Sequence, residues 1–286
     1  MFQGRLDRSE KGKTMALTEF QITILRLLSE QRKRAGISYI AGGAALNEAL
    51  KASRRSNDID IFHDTAEALR TTWDADRKTL LSAGYSLDIV RENPTFIEVV
   101  AGKNKDNVLI QWVRDSAFRF FPLIEDVVLG LTLHPFDLAT NKVLAMAGRL
   151  EPRDWIDTIE CHRSLQPFGY LLWAATGKDP GINPDMIISE AARLHYSQAE
   201  IDGLDFGPTR FSARELGLEW KQIVNAGKNL VDVLPVENIG ACLLKKGTCT
   251  LYTGTVEQVE QDLADGNILF HQGTIGGAWP EVLRRI

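Results

Sequence analysis

Asp58-Ile59-Asp60-Ile61 alternates acids with aliphatic residues, and fourteen residues separate it from the glycine pair Gly42-Gly43. In an extended segment alternate side chains share a face, so Asp58 and Asp60 project together while Ile59 and Ile61 bury the opposite side. Two neighbouring carboxylates repel, and one tends to take up a proton unless a hard divalent cation keeps both ionised. Magnesium is the natural ion for such a pair. Upstream, residues 37–41 form a short apolar run that reads as a strand, and residues 44–50 are rich in helix formers, so strand, Gly-Gly turn and helix follow one another. Glycines admit a ligand close to the backbone, and the free amides at a helix start attract an anion; a triphosphate tail fits that location. Either half alone is commonplace, a tight turn or a solvated strand edge. Joined at this spacing they point to a nucleotide site.

The order Gly42-Gly43-x14-Asp58-x-Asp60 resembles the signature of the polymerase-β-like nucleotidyltransferase superfamily. The local wording, Gly42-Gly43-Ala44-Ala45-Leu46 and then Arg54-Arg55-Ser56-Asn57-Asp58-Ile59-Asp60-Ile61-Phe62, is similar to the AbiEii/AbiGii toxin branch. Members of that branch read Gly-Gly-Thr-Ala-Leu and Arg-x-Ser-x-Asp-Ile-Asp-Leu-Phe; here Ala44 stands in place of the threonine. A second block, in which Lys142 and Arg149 precede Arg153-Asp154-Trp155-Ile156-Asp157, resembles the same branch in its order of lysine, small residues, arginine and Arg-Asp-x-x-Asp. Lys142 and Arg149 also lie seven apart, hence on one stripe of a helix, where they meet phosphates or form a solvated basic face. The resemblance implies that an acid in this block helps to organise or activate the acceptor. Asp157 is preferred to Asp154, because an acid so close to Pro152 suits ordinary helix-start chemistry.

The resemblance implies transfer of a nucleoside monophosphate from a nucleoside triphosphate (NTP) to an acceptor hydroxyl, with release of pyrophosphate. Asp58, Asp60, Lys142 and Asp157 are then the catalytic residues. Asp58 and Asp60 are the metal ligands of a two-ion magnesium site, and Gly42, Gly43, Lys142 and Arg149 contact the nucleotide. The acceptor implied is RNA, such as a tRNA 3′ end, in a toxin–antitoxin or phage-defence system with a cognate antitoxin. Alternatives are a small-molecule or protein acceptor, or a catalytically impaired nucleotide- or RNA-binding adaptor. Many members of the superfamily carry a third acid on a later strand. Residues 96–100 and 108–113 read as a hairpin, and Gln111 occupies that position; an amide can ligate through its oxygen but brings no charge and accepts no proton. Glu98 and Asp115 are the acids that could substitute for it.

These residues need elements to position them. Apolar positions at Phe20, Ile22, Leu25, Leu27 and Leu28 predict a helix leading into the first strand. Residues 65–83 follow as a helix and 85–90 as a strand, an α/β alternation that implies a mixed sheet flanked by helices. The expected organisation is a nucleotidyltransferase core over residues 15–133 and a mainly helical region over 134–286, of which 134–164 is helical and completes the active site. The fold class is thus α/β (α+β). Further helices are expected over 184–194 and 212–234. Residues 241–252 read as a β-hairpin around Gly247, and 256–264 as a helix. His271, Gln272, Gly273, Gly276 and Gly277 could line a substrate, although such a stretch is more commonly a surface loop. Lys51, Arg54 and Arg55, joined by Arg114 and Arg119, are candidates for a basic groove.

With 286 residues, 44% hydrophobic and 25% charged, the composition is that of a folded protein with a real core. The net charge of −5 argues against broad nonspecific wrapping of nucleic acid but leaves room for a local basic groove. Three cysteines without paired metal spacing imply reduced, packed thiols. No apolar run is long enough to span a bilayer and the start has no secretory hydrophobic region, so a cytoplasmic location is expected. Phe2-Gln3-Gly4 resembles the remnant of tag cleavage, and the polar opening is left out of the fold.

Overall fold

A computed structural model describes residues 16–280; the polar opening lies outside the described residues. Helix α1 (Glu19–Ala35) starts on a capping box in which Thr18 and Gln21 satisfy each other's backbone amides, and it ends at Gly36 in the left-handed conformation. Strand β1 (Tyr39–Ala41) runs directly into helix α2 (Gly42–Leu50), followed by β2 (Asp58–His63) and α3 (Ala66–Ser82). A meander of β3 (Ser86–Asn93), β4 (Phe96–Lys103) and β5 (Asp106–Arg114) comes next, then the short strands β6 (Phe118–Arg119), β7 (Ile124–Asp126) and β8 (Gly130–Thr132). Seven of these form one sheet in the order β3-β4-β5-β2-β1-β8-β7. The β2–β5 and β1–β8 pairs are parallel and the others antiparallel, so the sheet is mixed.

Alternation decides which face is filled. Ile59, Ile61, Ile97, Val99, Ile110 and Trp112 point under the sheet and pack with α1 and α3 side chains such as Ile22, Leu25, Leu69 and Trp73. Trp112 meets Trp73 edge-on at 4.7 Å between ring centroids, and its indole N–H donates to Asp76 at 3.0 Å. The other face stays open beneath α2 and the helices that follow β8.

Those helices are α4 (Pro135–Arg149), α5 (Pro152–Ser164), α6 (Phe168–Ala175), α7 (Pro184–Arg193), α8 (Gln198–Asp202) and α9 (Ala213–Val233). The stretch expected to be helical over 134–164 is divided in two: Leu150 adopts φ 54, and Pro152 then begins a fresh first turn. Strand β9 (Cys242–Lys245), helix α10 (Val256–Ala264) and strands β10 (Ile268–His271) and β11 (Thr274–Ile275) complete the described residues. The expected 241–252 hairpin is reduced to a turn with one bridge, Leu244 to Leu251; the partner of β9 is β10. Residues 268–271 offer four consecutive antiparallel pairs to β9, against the single bridge that 248–252 provides. Strand β11 returns to pair with β6, so the end of the described chain lies against the first half. One hydrophobic cluster includes Leu17 and Trp73 of the first half and Trp155, Phe168 and Trp220 of the second.

Candidate active site

The open face of the sheet carries its side chains in rows that cross the strands. Asp60 of β2 sits beside Ala41 of β1 on one side and Gln111 of β5 on the other, with Glu98 of β4 next in line. Asp58 lies one step along, beside Leu109. Asp58, Asp60 and Gln111 line a cleft of about 700 Å3 between this face and the helices above it. Burial, then the charge of Asp58, pushes the Asp60 carboxyl up to about 7, while Lys142, Arg153 and Arg149 pull it the other way. Ser56 Oγ donates to Asp58 Oδ1 at 2.6 Å and holds it in place.

Gly42 closes directly onto this pair. It has φ 71, and a Cβ built there would lie 1.8 Å from Asp60 Oδ2, so both backbone conformation and space demand glycine. A Cβ on Gly43 would come within 2.7 Å of Arg54 Nη2. Ala41, the N-cap of α2, makes no side-chain cap, and the first turn carries no acid. The free amides of this helix start remain available to an anion beside the two aspartates.

Opposite the acids stands a buried charge network. Arg54 donates twice to Asp157, at 2.7 Å each, and Lys142 Nζ lies 2.8 Å from Asp154 and 3.1 Å from Asp157. Arg149 adds bonds to Asp154 from the cleft side. Burial disfavours the charge of Asp157, but Lys142 and Arg54 outweigh that and hold its pKa below the ordinary carboxylate range. Asp157, expected to face the acceptor, is 1% exposed and does not line the cleft; both its oxygens are committed to the cations. Asp154 is likewise fully buried. Lys142 and Arg149 do line the cleft, and an ammonium has three donors, of which two on Lys142 are taken. Arg153 is 3.8 Å from Asp58 Oδ2, at the same end.

Gln111 donates its Nε2 to Glu98 Oε2 at 2.7 Å, which turns the amide nitrogen away from Asp60. Glu98 therefore acts on the row through Gln111 and does not itself line the cleft, while Asp115 lies on the rim two residues beyond Val113. Among the described residues no group of three or more His, Cys, Asp or Glu side chains gathers as a metal cluster. The paired carboxylates nevertheless fit a hard cation: they share a face, and a bound ion would relieve the burial and the Asp58 repulsion that push the Asp60 carboxyl up.

Of the basic-groove candidates, Arg54 and Arg119 reach the cleft, the latter locked on Asp64 at 2.8 Å. Arg114 and Arg55 do not line it; the Arg55 amide instead bonds the Asp205 carbonyl, and Lys51 pairs with Glu48. His271 bonds the Phe120 carbonyl at 2.8 Å and Gly277 abuts the Phe121 carbonyl, so that segment holds the rim of the fold and contributes no cleft wall. Ser56, Tyr39, Phe62, Phe96, Arg153 and Lys178 are among the cleft residues that the sequence did not single out. Phe62 and Phe96 were findable, since each is two residues from an acid on the same face; nothing local marks Lys178, which reaches Asp137 and Asn141 across the fold.

Compared with known proteins, the sequence matches no family description and no curated protein. Among solved structures the chain is similar to JHP933 of Helicobacter pylori, at 15% identity and a TM-score of 0.49, over 76% of this chain and 95% of that one. It is similar to MenT4, a nucleotidyltransferase toxin of Mycobacterium tuberculosis, at 12% identity and a TM-score of 0.43, over 78% and 89% of the two chains. It is also similar to the CCA-adding enzyme of Thermotoga maritima complexed with tRNA, at 12% identity and a TM-score of 0.26, over 77% and 72%. Those overlaps are loose over the whole chain, and the functional reading rests on the cleft itself.

Proposed function

We propose that the protein is a magnesium-dependent nucleotidyltransferase that moves a nucleoside monophosphate from an NTP to an acceptor hydroxyl and releases pyrophosphate. The observation that carries this reading is the closure of Gly42, at the uncapped start of α2, onto Asp60, with Asp58 on the same cleft face and Lys142 and Arg149 also lining that cleft. Such a set brings free amides, a cation-holding acid pair and fixed positive charge to one place, the combination a polyphosphate requires. Asp58 and Asp60 would hold magnesium; when bound, the ion supplies charge neutralisation to the reacting phosphates.

The protein's own groups do the rest. The α2 amides and the free donors of Lys142 and Arg149 orient the phosphate chain, and Asp154 and Asp157 act through those cations as positioning residues. Ser56 keeps Asp58 turned toward the cleft. We assign the acceptor to RNA and the biological role to a toxin of a toxin–antitoxin or phage-defence system. The local resemblance of both sequence blocks to the AbiEii/AbiGii branch supports that role. Gln111, a neutral residue in the Asp60 row, favours a second reading, a nucleotide-binding adaptor without transfer.

The test incubates the protein with each α-labelled NTP, magnesium and total tRNA. Label is expected on RNA, with Asp58→Ala lowering the rate about a thousandfold through the loss of several kcal/mol of charge stabilisation. NTP binding without transfer to any acceptor would establish the adaptor. Calorimetry that detects no magnesium-assisted NTP binding would sink both.

A further inference from the structure

The cleft has two chemically different ends. At the Asp58 end Arg153 stands 3.8 Å from Asp58 Oδ2, and Arg54 lies beside Gly43 with Ser56, the residue that holds Asp58. One row beyond Asp60 in the other direction, Phe96 of β4, Val113 of β5, Phe62 of β2 and Tyr39 of β1 are mutual register partners, and all four line the cleft. Two residues of strand separate this row from the Asp60 row, about 7 Å. Tyr39 and Phe62 stack at 6.2 Å with their planes 25° apart. Guanidinium groups lie over both ends of the row, Arg91 at 5.3 Å from the Phe96 ring and Arg119 at 5.0 Å from Tyr39. Helix α4 spans the same distance overhead, with Leu138 and Asn141 earlier in the helix and Arg149 at its basic end.

We propose that this aromatic row is the acceptor subsite and that it stacks an unpaired nucleobase at the 3′ end of a single-stranded RNA. The proposal rests on the nucleotidyltransferase reading above and adds the acceptor's location and chemistry. In phosphoryl and nucleotidyl transfer the attacking and leaving oxygens are roughly in line. With the leaving pyrophosphate held by the arginines and the α2 amides at one end, the attacking hydroxyl enters from the other, over Phe62 and Phe96. Tyr39 is buried, stacked on Phe62 and covered by Arg119, so the half-buried Phe62 and Phe96 are the rings left to meet a base, and they tolerate any of the four because every base has a π-face. A polycationic small molecule would require an acidic wall; at this end Asp115 lines the cleft, and Asp64 is already paired with Arg119 and bonded by the Tyr39 hydroxyl. Balance is ordinary for the class: the 3′ oxygen bonds the α-phosphorus, the bond from that phosphorus to the bridging oxygen breaks, and the hydroxyl proton leaves to solvent as pyrophosphate departs.

The test uses the full-length protein and a short unstructured RNA carrying 2-aminopurine at its 3′ end, whose fluorescence is quenched by stacking. Quenching is expected on binding, without NTP. Phe62→Leu and Phe96→Leu are expected to remove the quenching and weaken RNA binding about tenfold each, with affinity for a non-hydrolysable ATP analogue and magnesium unchanged. Phe62→Tyr keeps a ring and is expected to restore both RNA signals, which separates lost stacking from a damaged fold. RNA binding without quenching, no RNA binding, or a binding preference for a protein acceptor would overturn the proposal. Loss of ATP-analogue affinity in the leucine variants would also overturn it, by assigning the row to the donor base. Failure of the underlying reading is seen separately, as no ATP-analogue binding by the unaltered protein.

Discussion

Asp60 is the residue on which ion binding and pH meet. Its folded-state pKa of about 7 lies above the ordinary 3.8, so between about pH 4 and 7 the folded, metal-free protein holds a proton that the unfolded chain has released. The associated stability is fully present below pH 4 and lost as pH rises through 7. Thermal melts of metal-free protein should therefore show a decline across that window that is smaller in Asp60→Asn. Magnesium must displace the same proton, so its apparent affinity should fall as pH drops below 7, by up to about tenfold per unit, as calorimetry in two buffers can measure. Gly42 belongs to the same argument. Gly42→Ala places a methyl against Asp60 Oδ2 in a left-handed backbone conformation worth about 1–2 kcal/mol in strain alone. A lowered melting temperature together with weakened magnesium binding is expected; a fall in stability with ion affinity intact would separate the glycine from the site.

At the scale of elements, helices α4 and α5 and the segment before β2 are tied by charge. Arg54 reaches Asp157 across 103 residues of chain, and Lys142 reaches Asp154 and Asp157 from the neighbouring helix. Removing one member leaves buried cations uncompensated, so Asp157→Asn should destabilise the fold by about 3–5 kcal/mol in denaturant titrations. A loss under about 1 kcal/mol would mean that water relieves the network. The same helices show how far local patterns extend. The break between α4 and α5 is visible as Pro152, yet the left-handed Leu150 that produces it is not a residue type that advertises the turn. Thr18, Thr65 and Asn183 each cap a helix with their own side chains, which is why those starts were close to their expected places.

The whole molecule is knitted by a continuous core. Trp155 and Trp220 meet at 6.2 Å and Phe168 packs on Trp220 at 5.2 Å, in the same cluster that contains Trp73 under the sheet. Strand β11 and His271 fasten the last described segment to residues 118–120. Calorimetry is accordingly expected to give one unfolding transition, with Trp220→Ala lowering stability by about 3–5 kcal/mol. Two resolved transitions would show that the regions before and after residue 133 unfold independently.

The features legible in the residues are local ones. Acid and aliphatic alternation put Asp58 and Asp60 on one face, and paired glycines beside helix formers marked the start of α2, because each depends only on a few adjacent residues. Which groups those residues meet follows from the packing of distant segments. That packing buried Asp157 behind Arg54 and Lys142, gave β9 its partner in β10, and aligned Phe96, Val113, Phe62 and Tyr39 from four separate strands into one row. Contacts of that kind join distant segments, as across the 151 residues between Phe120 and His271. They arise from the competition of distant surfaces for burial and hydrogen bonds, which no window of neighbouring residues contains.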